Sequence, residues 1–269
     1  MGSRNNNSIV KTSSNSDGVL RITLSNPKNH NALSEEMMLN IQLALDEAAA
    51  DKKIRVIIIS AEGPTFSAGH DLKELKAGRK NSDKGKGYFK EVMLKCSKLM
   101  QSIVNNPKPV IAEVAGVATA AGCQLVASCD LAYAGESARF ATPGVNIGLF
   151  CSTPMVALSR NVSNKHSMEM LLTGDLISSS KAAEIGLINK MINDNDLQNF
   201  VLERALKISK KSAMTLKIGK EAFYKQIDMT LSEAYDYASN VMVENMLKLD
   251  AEEGIDAFIN KRTPNWQDK

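Results

Sequence analysis

Two turns rich in small residues are the segments of this chain best suited to hold a reacting group. Residues 66–71 read Phe-Ser-Ala-Gly-His-Asp, and residues 116–124 read Gly-Val-Ala-Thr-Ala-Ala-Gly-Cys-Gln. Each turn lies between a predicted strand and a predicted helix, where the first helical N–H groups have no partner within the helix. Alanine and glycine at such a junction let a ligand approach the backbone closely. Two convergent donors would form an oxyanion hole, whereas tight packing is the alternative reason for the small residues.

The other reactive side chains give weaker signals. The four cysteines form no Cys-x-x-Cys pair, and none of the three histidines lies at metal-ligand spacing from a cysteine. We therefore expect reduced, mostly buried thiols and no metal ion. The residues concerned are Cys96, Cys123, Cys129 and Cys151, with His30, His70 and His166.

Composition narrows the class of partner. The chain has 269 residues, of which 43% are hydrophobic and 23% charged, so it can bury a hydrophobic core. Its net charge is only +3, which argues against a nucleic-acid partner. The basic stretch from Lys76 to Lys90 is interpreted as a solvated face, with screening of phosphates at the mouth of the site as the alternative. No apolar run reaches the length of a membrane span, so we also expect no membrane partner.

Strand and helix patterns alternate along most of the chain. Residues 34–48 and 88–104 have helical spacing of apolar residues, and from residue 197 the pattern is helical almost to the end. Predicted strands lie at residues 19–24, 54–60, 109–114 and 131–134. This order predicts an α/β core at residues 17–196 and a helical region at residues 197–269.

Residues 1–16 have a different composition. They are rich in serine and asparagine, contain Arg4 and Lys11, and hold no acidic residue. The pattern fits a remnant of a mitochondrial presequence, a disordered tail or an artificial leader at residues 1–3.

Further motifs follow one another along the chain. They are Phe-Ser-Ala-Gly-His-Asp-Leu from residue 66, Lys-Pro-Val-Ile-Ala from residue 108 with the turn and helix at 116–130, Leu-Thr-Gly-Asp from residue 172, Ala-Ala-Glu-Ile-Gly-Leu-Ile from residue 182 and Glu-Gly-Ile-Asp-Ala-Phe from residue 253. From about residue 17 to its end, the chain resembles the crotonase (enoyl-CoA hydratase/isomerase) superfamily.

The resemblance implies a fold and an assembly. It implies a ClpP/crotonase-like spiral of ββα units, with a C-terminal helical region that forms homotrimers or dimers of trimers. It also implies a coenzyme A thioester as ligand or substrate, without a further cofactor. Together with residues 1–16 it implies a mitochondrial location, with the cytoplasm as the alternative.

The resemblance also assigns residues by position. The oxyanion donors would be the N–H groups of His70 and Ala121, and the donor at Ala121 requires a negative φ there. Phe258 and Lys261 match positions that close over the coenzyme, often from a neighbouring subunit, and their spacing on a helix would put them on one face. The remaining coenzyme A contacts would be Ala32, Leu33, Ala68, His70, Asp71, Leu72 and Lys73.

Both carboxylate positions of the hydratases in this family are occupied differently. Where those enzymes use two glutamates to hold water and move its protons, this chain has Gln124 and Gly144. A third position, which carries a carboxylate in some isomerases and a dehalogenase, is Ser152. Loss of one general acid or base costs roughly 10²- to 10⁴-fold in rate, so we expect weak or absent hydration.

Two functional readings stay open. One is a non-catalytic acyl-CoA-binding protein of fatty-acid metabolism. The other is an active isomerase, thioester hydrolase or slow hydratase that uses the oxyanion hole with other polar groups. The His70 imidazole, Cys151 and Ser152 are minor candidates for such chemistry, and a nucleophile would need a base that the sequence does not show. Glu113, in an apolar strand, is interpreted as structural, with a displaced base as the alternative.

Overall fold

The computed structural model describes residues 8–269, which form ten strands and eleven α-helices. The strands are β1 (Val10–Ser14), β2 (Val19–Leu24), β3 (Val56–Ala61), β4 (Thr65–Ser67), β5 (Val110–Val114), β6 (Val117–Thr119), β7 (Leu131–Gly135), β8 (Arg139–Ala141), β9 (Ile177–Ser178) and β10 (Lys190–Ile192). The helices are α1 (Glu35–Ala50), α2 (Leu72–Gly78), α3 (Lys86–Val104), α4 (Ala121–Ser128), α5 (Pro154–Leu158), α6 (Asn164–Thr173), α7 (Ser179–Glu184), α8 (Leu197–Ser209), α9 (Ala213–Gln226), α10 (Leu231–Met246) and α11 (Leu249–Ile259). Short 3₁₀ helices cover Pro27–Asn29 and Pro143–Ile147.

The strands form two sheets. The larger has the order β1-β2-β3-β5-β7-β10 and is parallel except for β1, and the smaller has the order β4-β6-β8-β9 with only β9 antiparallel. Three times the chain passes from a strand of the larger sheet to one of the smaller and then into helical structure: β3 to β4, β5 to β6 and β7 to β8. This path is the spiral of ββα units that the family resemblance implies.

The predicted boundary between a tail and the core at residue 17 is wrong. Strand β1 pairs antiparallel with β2 in the register Val10↔Leu24 to Ser14↔Leu20, so the sheet begins well before residue 17. This strand was not predicted because only Val10 of its five residues is buried, so it lacks an apolar pattern. The other four residues are exposed and pair with β2 through the backbone. The part of the predicted tail at residues 1–7 lies outside the described residues.

Apolar side chains cover both faces of the larger sheet. Successive residues of a strand point to opposite faces, so Ile57 and Ile59 pack with α1 while Ile58 packs with Val201 of α8. All three isoleucines have no exposed surface. The strand predicted at residues 54–60 is observed as Val56–Ala61, and it is buried on both faces, as predicted.

A buried ion pair attaches the C-terminal helices to this core. The Lys220 ammonium of α9 donates to Asp130 at 2.7 Å and to the carbonyl oxygens of Ile103 and Lys108. Tyr224 donates to the second Asp130 oxygen at 2.9 Å. Burial raises the pKa of Asp130 and lowers that of Lys220, and the attraction between them opposes both shifts.

We predict that Lys220→Met lowers the free energy of unfolding by about 3 kcal/mol, because it leaves the Asp130 charge buried without its ionic partner. The neighbouring exposed Lys217→Met is the matched control and should stay within about 0.5 kcal/mol of the parent chain. Urea unfolding measures both. Equal midpoints for the two variants would show that the ion pair does not hold α9 to the core.

Candidate functional site

Asp71 ends the first turn and begins α2. Its carboxylate accepts hydrogen bonds from the N–H groups of Lys73, at 2.7 Å, and Glu74, at 3.3 Å. A side-chain acceptor at this position satisfies donors that have no partner within the helix. The Asp71 carboxylate therefore acts as the N-cap of α2.

The chain before α1 lies against this turn. The N–H group of Leu33 donates to the carbonyl oxygen of Gly69 at 2.7 Å, and Leu33 pairs with His70 as an isolated parallel bridge. The predicted coenzyme A contacts Ala32 and Leu33 are thus next to Ala68 and His70, and the structure brings these two parts of the predicted site together.

The second turn has an unusual backbone. Ala120 has φ +50° and ψ −121°, a combination that residues with a Cβ seldom adopt, and its N–H donates to the Ala141 carbonyl at 3.0 Å. Ala121 is the first residue of α4 and does not have a positive φ. The backbone condition for a donor at Ala121 is therefore met.

The two turns touch each other at glycines. A Cβ added to Gly69 would lie 2.9 Å from the Ala120 Cβ and 3.0 Å from the Ala121 nitrogen, and one added to Gly122 would collide with the Ser67 carbonyl. The Thr119 hydroxyl donates to the Ala68 carbonyl at 3.2 Å across the same contact. Only residues without a side chain allow the backbones to approach this closely.

Backbone N–H groups without a partner remain at this contact. Among the described residues, the N–H groups of His70 and Ala121 have no acceptor. His70 follows Gly69 directly, and Gly69 lies against the Ala121 nitrogen. A single oxygen atom placed between the two turns could accept a hydrogen bond from each of these unpaired donors.

The His70 imidazole lies beside these donors. Both ring nitrogens are shielded from solvent. Burial lowers the pKa of the ring, and a weaker interaction with the Leu33 backbone opposes that shift. The imidazole is therefore neutral near pH 7.

Gln124 is one turn into α4 from Ala121. Its side chain is buried, with 5% of the residue exposed, and its Oε1 has a weak contact to the Cys96 thiol at 4.0 Å. A carboxamide forms hydrogen bonds but exchanges no proton near neutral pH. The position gives the site polarity without a general acid or base.

Gly144 lies in a place that no side chain fits. Its N–H donates to the Cys151 sulfur at 3.3 Å, and a Cβ there would lie 2.8 Å from the Leu149 carbonyl and 2.9 Å from that sulfur. The loop at residues 149–151 therefore fills the space into which a carboxylate side chain would extend.

The minor candidates are explained by their contacts. Burial raises the pKa of the Cys151 thiol, which disfavours the nucleophilic thiolate, and the Ser152 hydroxyl donates to the Phe150 carbonyl at 3.3 Å. Glu113 accepts two hydrogen bonds from Arg21, at 2.6 and 2.9 Å, so it is the structural carboxylate that the sequence suggested.

All four cysteines are free and buried. Within residues 8–269, no group of three histidine, cysteine, aspartate or glutamate side chains could hold a metal ion. The site is thus built from backbone donors and neutral polar side chains.

The predicted helix face shared by Phe258 and Lys261 is wrong. Helix α11 ends at Ile259, and Lys261 follows it with φ +53°. The Lys261 N–H donates to the Phe258 carbonyl and that of Arg262 to the Ala257 carbonyl, which is the Schellman pattern. Both predicted side chains are exposed and make no hydrogen bond or ion pair to the two turns within the described chain.

Three features near the site were not predicted from the sequence. They are the positive φ of Ala120, the contact of Cys96 with Gln124, and the Thr142 hydroxyl, which is buried and has no hydrogen-bond partner in the part of the chain that the structure describes. Each depends on residues distant in sequence or on a backbone angle. No local pattern signals any of them.

The comparisons with known proteins agree with this fold. A family model described as Enoyl-CoA hydratase/isomerase matches residues 14–269. The protein named enoyl-CoA hydratase domain-containing protein 3, mitochondrial, is 49% identical to the chain in Rattus norvegicus and 50% in Homo sapiens, in each case over 250 residues. These matches cover 93% of this chain and 82% and 81% of the rat and human proteins. Both names support the mitochondrial location expected of this chain.

Solved structures give the same result. The crystal structure of human enoyl Coenzyme A hydratase domain-containing protein 3 matches with a TM-score of 0.91 and 48% identity, covering 96% of this chain and 100% of that one. A structure of enoyl-CoA hydratase from Mycobacterium smegmatis matches with a TM-score of 0.91 and 41% identity, covering 96% and 98%. The chain therefore belongs to the enoyl-CoA hydratase/isomerase family, as its motifs indicated.

Proposed function

We propose that this protein binds acyl-coenzyme A thioesters of fatty-acid metabolism and hydrates enoyl thioesters weakly or not at all. The observation that carries the proposal is the pair of unpaired donors, the N–H groups of His70 and Ala121, at the contact between two turns. A thioester carbonyl oxygen would accept from both. Gln124 and Gly144 supply no carboxylate beside it.

The proposed chemistry follows from what these groups can do. Donors fixed by the backbone stabilise negative charge on the carbonyl oxygen and need no reorganisation when that charge develops. Addition of water also needs a group that takes a proton and one that gives it. Gln124 can hold a water molecule but cannot exchange its proton, so binding and polarisation remain without efficient hydration.

An active enzyme is the second candidate, because the His70 imidazole is neutral and lies beside the proposed donors. A neutral imidazole can accept a proton in isomerisation or thioester hydrolysis. Incubation with a panel of acyl- and enoyl-CoA thioesters, followed by mass spectrometry, separates the two candidates. Products that disappear in His70→Gln would establish the second.

We predict that crotonyl-CoA binds but is hydrated at least about 10²-fold more slowly than by an ordinary enzyme, for which kcat is on the order of 10 s⁻¹. Gln124→Glu should raise the rate, because it restores one proton-exchanging group, by about 10²-fold at most. Gln124→Met, which is also uncharged, is the matched control and should give no gain. Hydration at an ordinary rate by the parent chain would refute the proposal.

We predict a trimer or a multiple of it. Helix α10 exposes large apolar side chains that a lone chain would leave in water: Leu231 (76%), Tyr235 (69%), Met242 (59%) and Met246 (59%). Sedimentation at micromolar concentration should give three or six chains. Tyr235→Glu with Met242→Glu should lower the mass, whereas Ser232→Glu, an added charge at a polar position of the same helix, should not. A monomeric parent chain would refute the assembly.

We predict opposite effects of Lys261→Gly on stability and binding. Glycine suits φ +53°, so the free energy of unfolding should rise by about 1 kcal/mol. Affinity for coenzyme A should fall about tenfold, because Lys261 forms no ion pair within residues 8–269, whereas the neighbouring Arg262 is paired with Glu253 and Asp256. Lys261→Ala should lose the same affinity without the gain in stability.

Calorimetry with coenzyme A and with its dephospho form completes this test. If Lys261 contacts the nucleotide phosphate, the loss should shrink for the dephospho ligand and at high salt. Unchanged affinity in Lys261→Gly would remove this residue from the coenzyme A site.

A further inference from the structure

A dense group of positive charges covers the corner between α2 and α3, defined here as residues 72–90 and called the α2–α3 corner. Its seven basic residues are all exposed: Lys73, Lys76, Arg79, Lys80, Lys84, Lys86 and Lys90. With two acidic residues the corner carries a net charge of +5, more than the +3 of the whole chain. The rest of the protein is thus slightly negative.

The two acidic residues are engaged elsewhere. Asp83 accepts the N–H groups of Gly85, at 2.9 Å, and Gly87, at 2.7 Å, and Glu74 accepts that of Glu35 at 3.1 Å. None of the seven basic side chains forms a salt bridge with a described residue. The charges are therefore not neutralised within the described chain.

Packing keeps the charges together. Gly78 lies against the ring of Tyr88, Gly85 lies against the Gly78 carbonyl, and the Arg79 guanidinium lies 5.3 Å from the centre of the Phe89 ring. Helix α2 is only about 10 Å long, close to the distance over which charges act in physiological salt. The basic residues are therefore held within one corner of the molecule.

We propose that the α2–α3 corner docks the protein on an anionic lipid bilayer. Six of the seven basic residues are lysines, whose flexible, hydrated point charges suit a diffuse negative surface better than a defined carboxylate. Leu72, 55% exposed, adds an apolar contact beside Lys73 and Lys76. Each lysine near such a surface raises affinity about fivefold.

This contact is peripheral. No helix within the described residues is long and apolar enough to cross a membrane. The sequence led us to expect no membrane partner from the absence of such a segment, and the clustering of charge in the folded chain revises that expectation. Because α2 begins two residues after His70, docking would place the proposed thioester site beside the bilayer, a consequence that rests on the proposed function.

Vesicle sedimentation tests the surface without reference to catalysis. The protein should sediment with vesicles of phosphatidylcholine containing about one-third phosphatidylserine, and not with phosphatidylcholine alone. Binding should disappear at about 0.5 M salt. Lys76→Glu with Lys80→Glu and Lys90→Glu should weaken it about 100-fold. The control combines Lys52→Glu, Lys53→Glu and Lys217→Glu, which lower the net charge by the same amount at exposed positions outside the corner. This control should change the affinity for the vesicles less than threefold.

Several outcomes would overturn the proposal. Equal weakening by both triple variants would assign binding to net charge rather than to the corner. If the parent chain does not bind anionic vesicles, the bilayer is excluded as the partner of the corner, whatever the variants do. If it ignores them and the corner variant loses affinity for free coenzyme A in calorimetry, the lysines serve the coenzyme's phosphates instead. Failure of the parent chain to bind coenzyme A would count against the proposed function and leave the vesicle result unaffected.

Discussion

The close approach of Gly69 to Ala120 and Ala121 is the constraint on which the site depends. It places the end of a turn after β4 against the start of α4, and a single added methyl group at Gly69 would push them apart. The strands β4 and β6 pair in the smaller sheet and set the two turns side by side. Because the donors are backbone groups, their positions are fixed by this packing rather than by side-chain conformation, and the fold itself orients them.

Positions 124 and 144 differ in how easily each could hold a carboxylate side chain. Gln124 occupies space that a glutamate of the same size would fill, so only its chemistry differs. At Gly144 the surrounding loop has closed: the Leu149 carbonyl and the Cys151 sulfur occupy the direction of a side chain. Restoring a carboxylate there requires movement of backbone, which costs more than a change of rotamer. The packing of the loop at residues 149–151 therefore leaves no room for a carboxylate side chain at position 144.

The order of elements and the two turns were predictable from sequence, because apolar periodicity and small residues are local signals. Strand β1 was not, since Lys11 to Ser14 are polar and exposed and pair with β2 through the backbone. The helix end at Ile259 was also missed, because the Schellman turn there uses a lysine where glycine is the usual signal. The engagement of Glu113 by Arg21 joins residues 92 positions apart and has no local signature.

Positive φ at Ala120 and Lys261 connects the two halves of the proposed site. Glycine would adopt either conformation without strain, yet each position holds a residue with a Cβ. The Ala120 methyl faces Gly69 and fills the contact that spaces the two turns, whereas the Lys261 ammonium is a charge that glycine cannot supply. Departures from local preference of this kind concentrate at functional sites, where the surrounding fold holds them in place. The strain at Ala120 lies at the contact that positions the proposed donors, whereas the positive φ of Lys261 lies just beyond the end of α11.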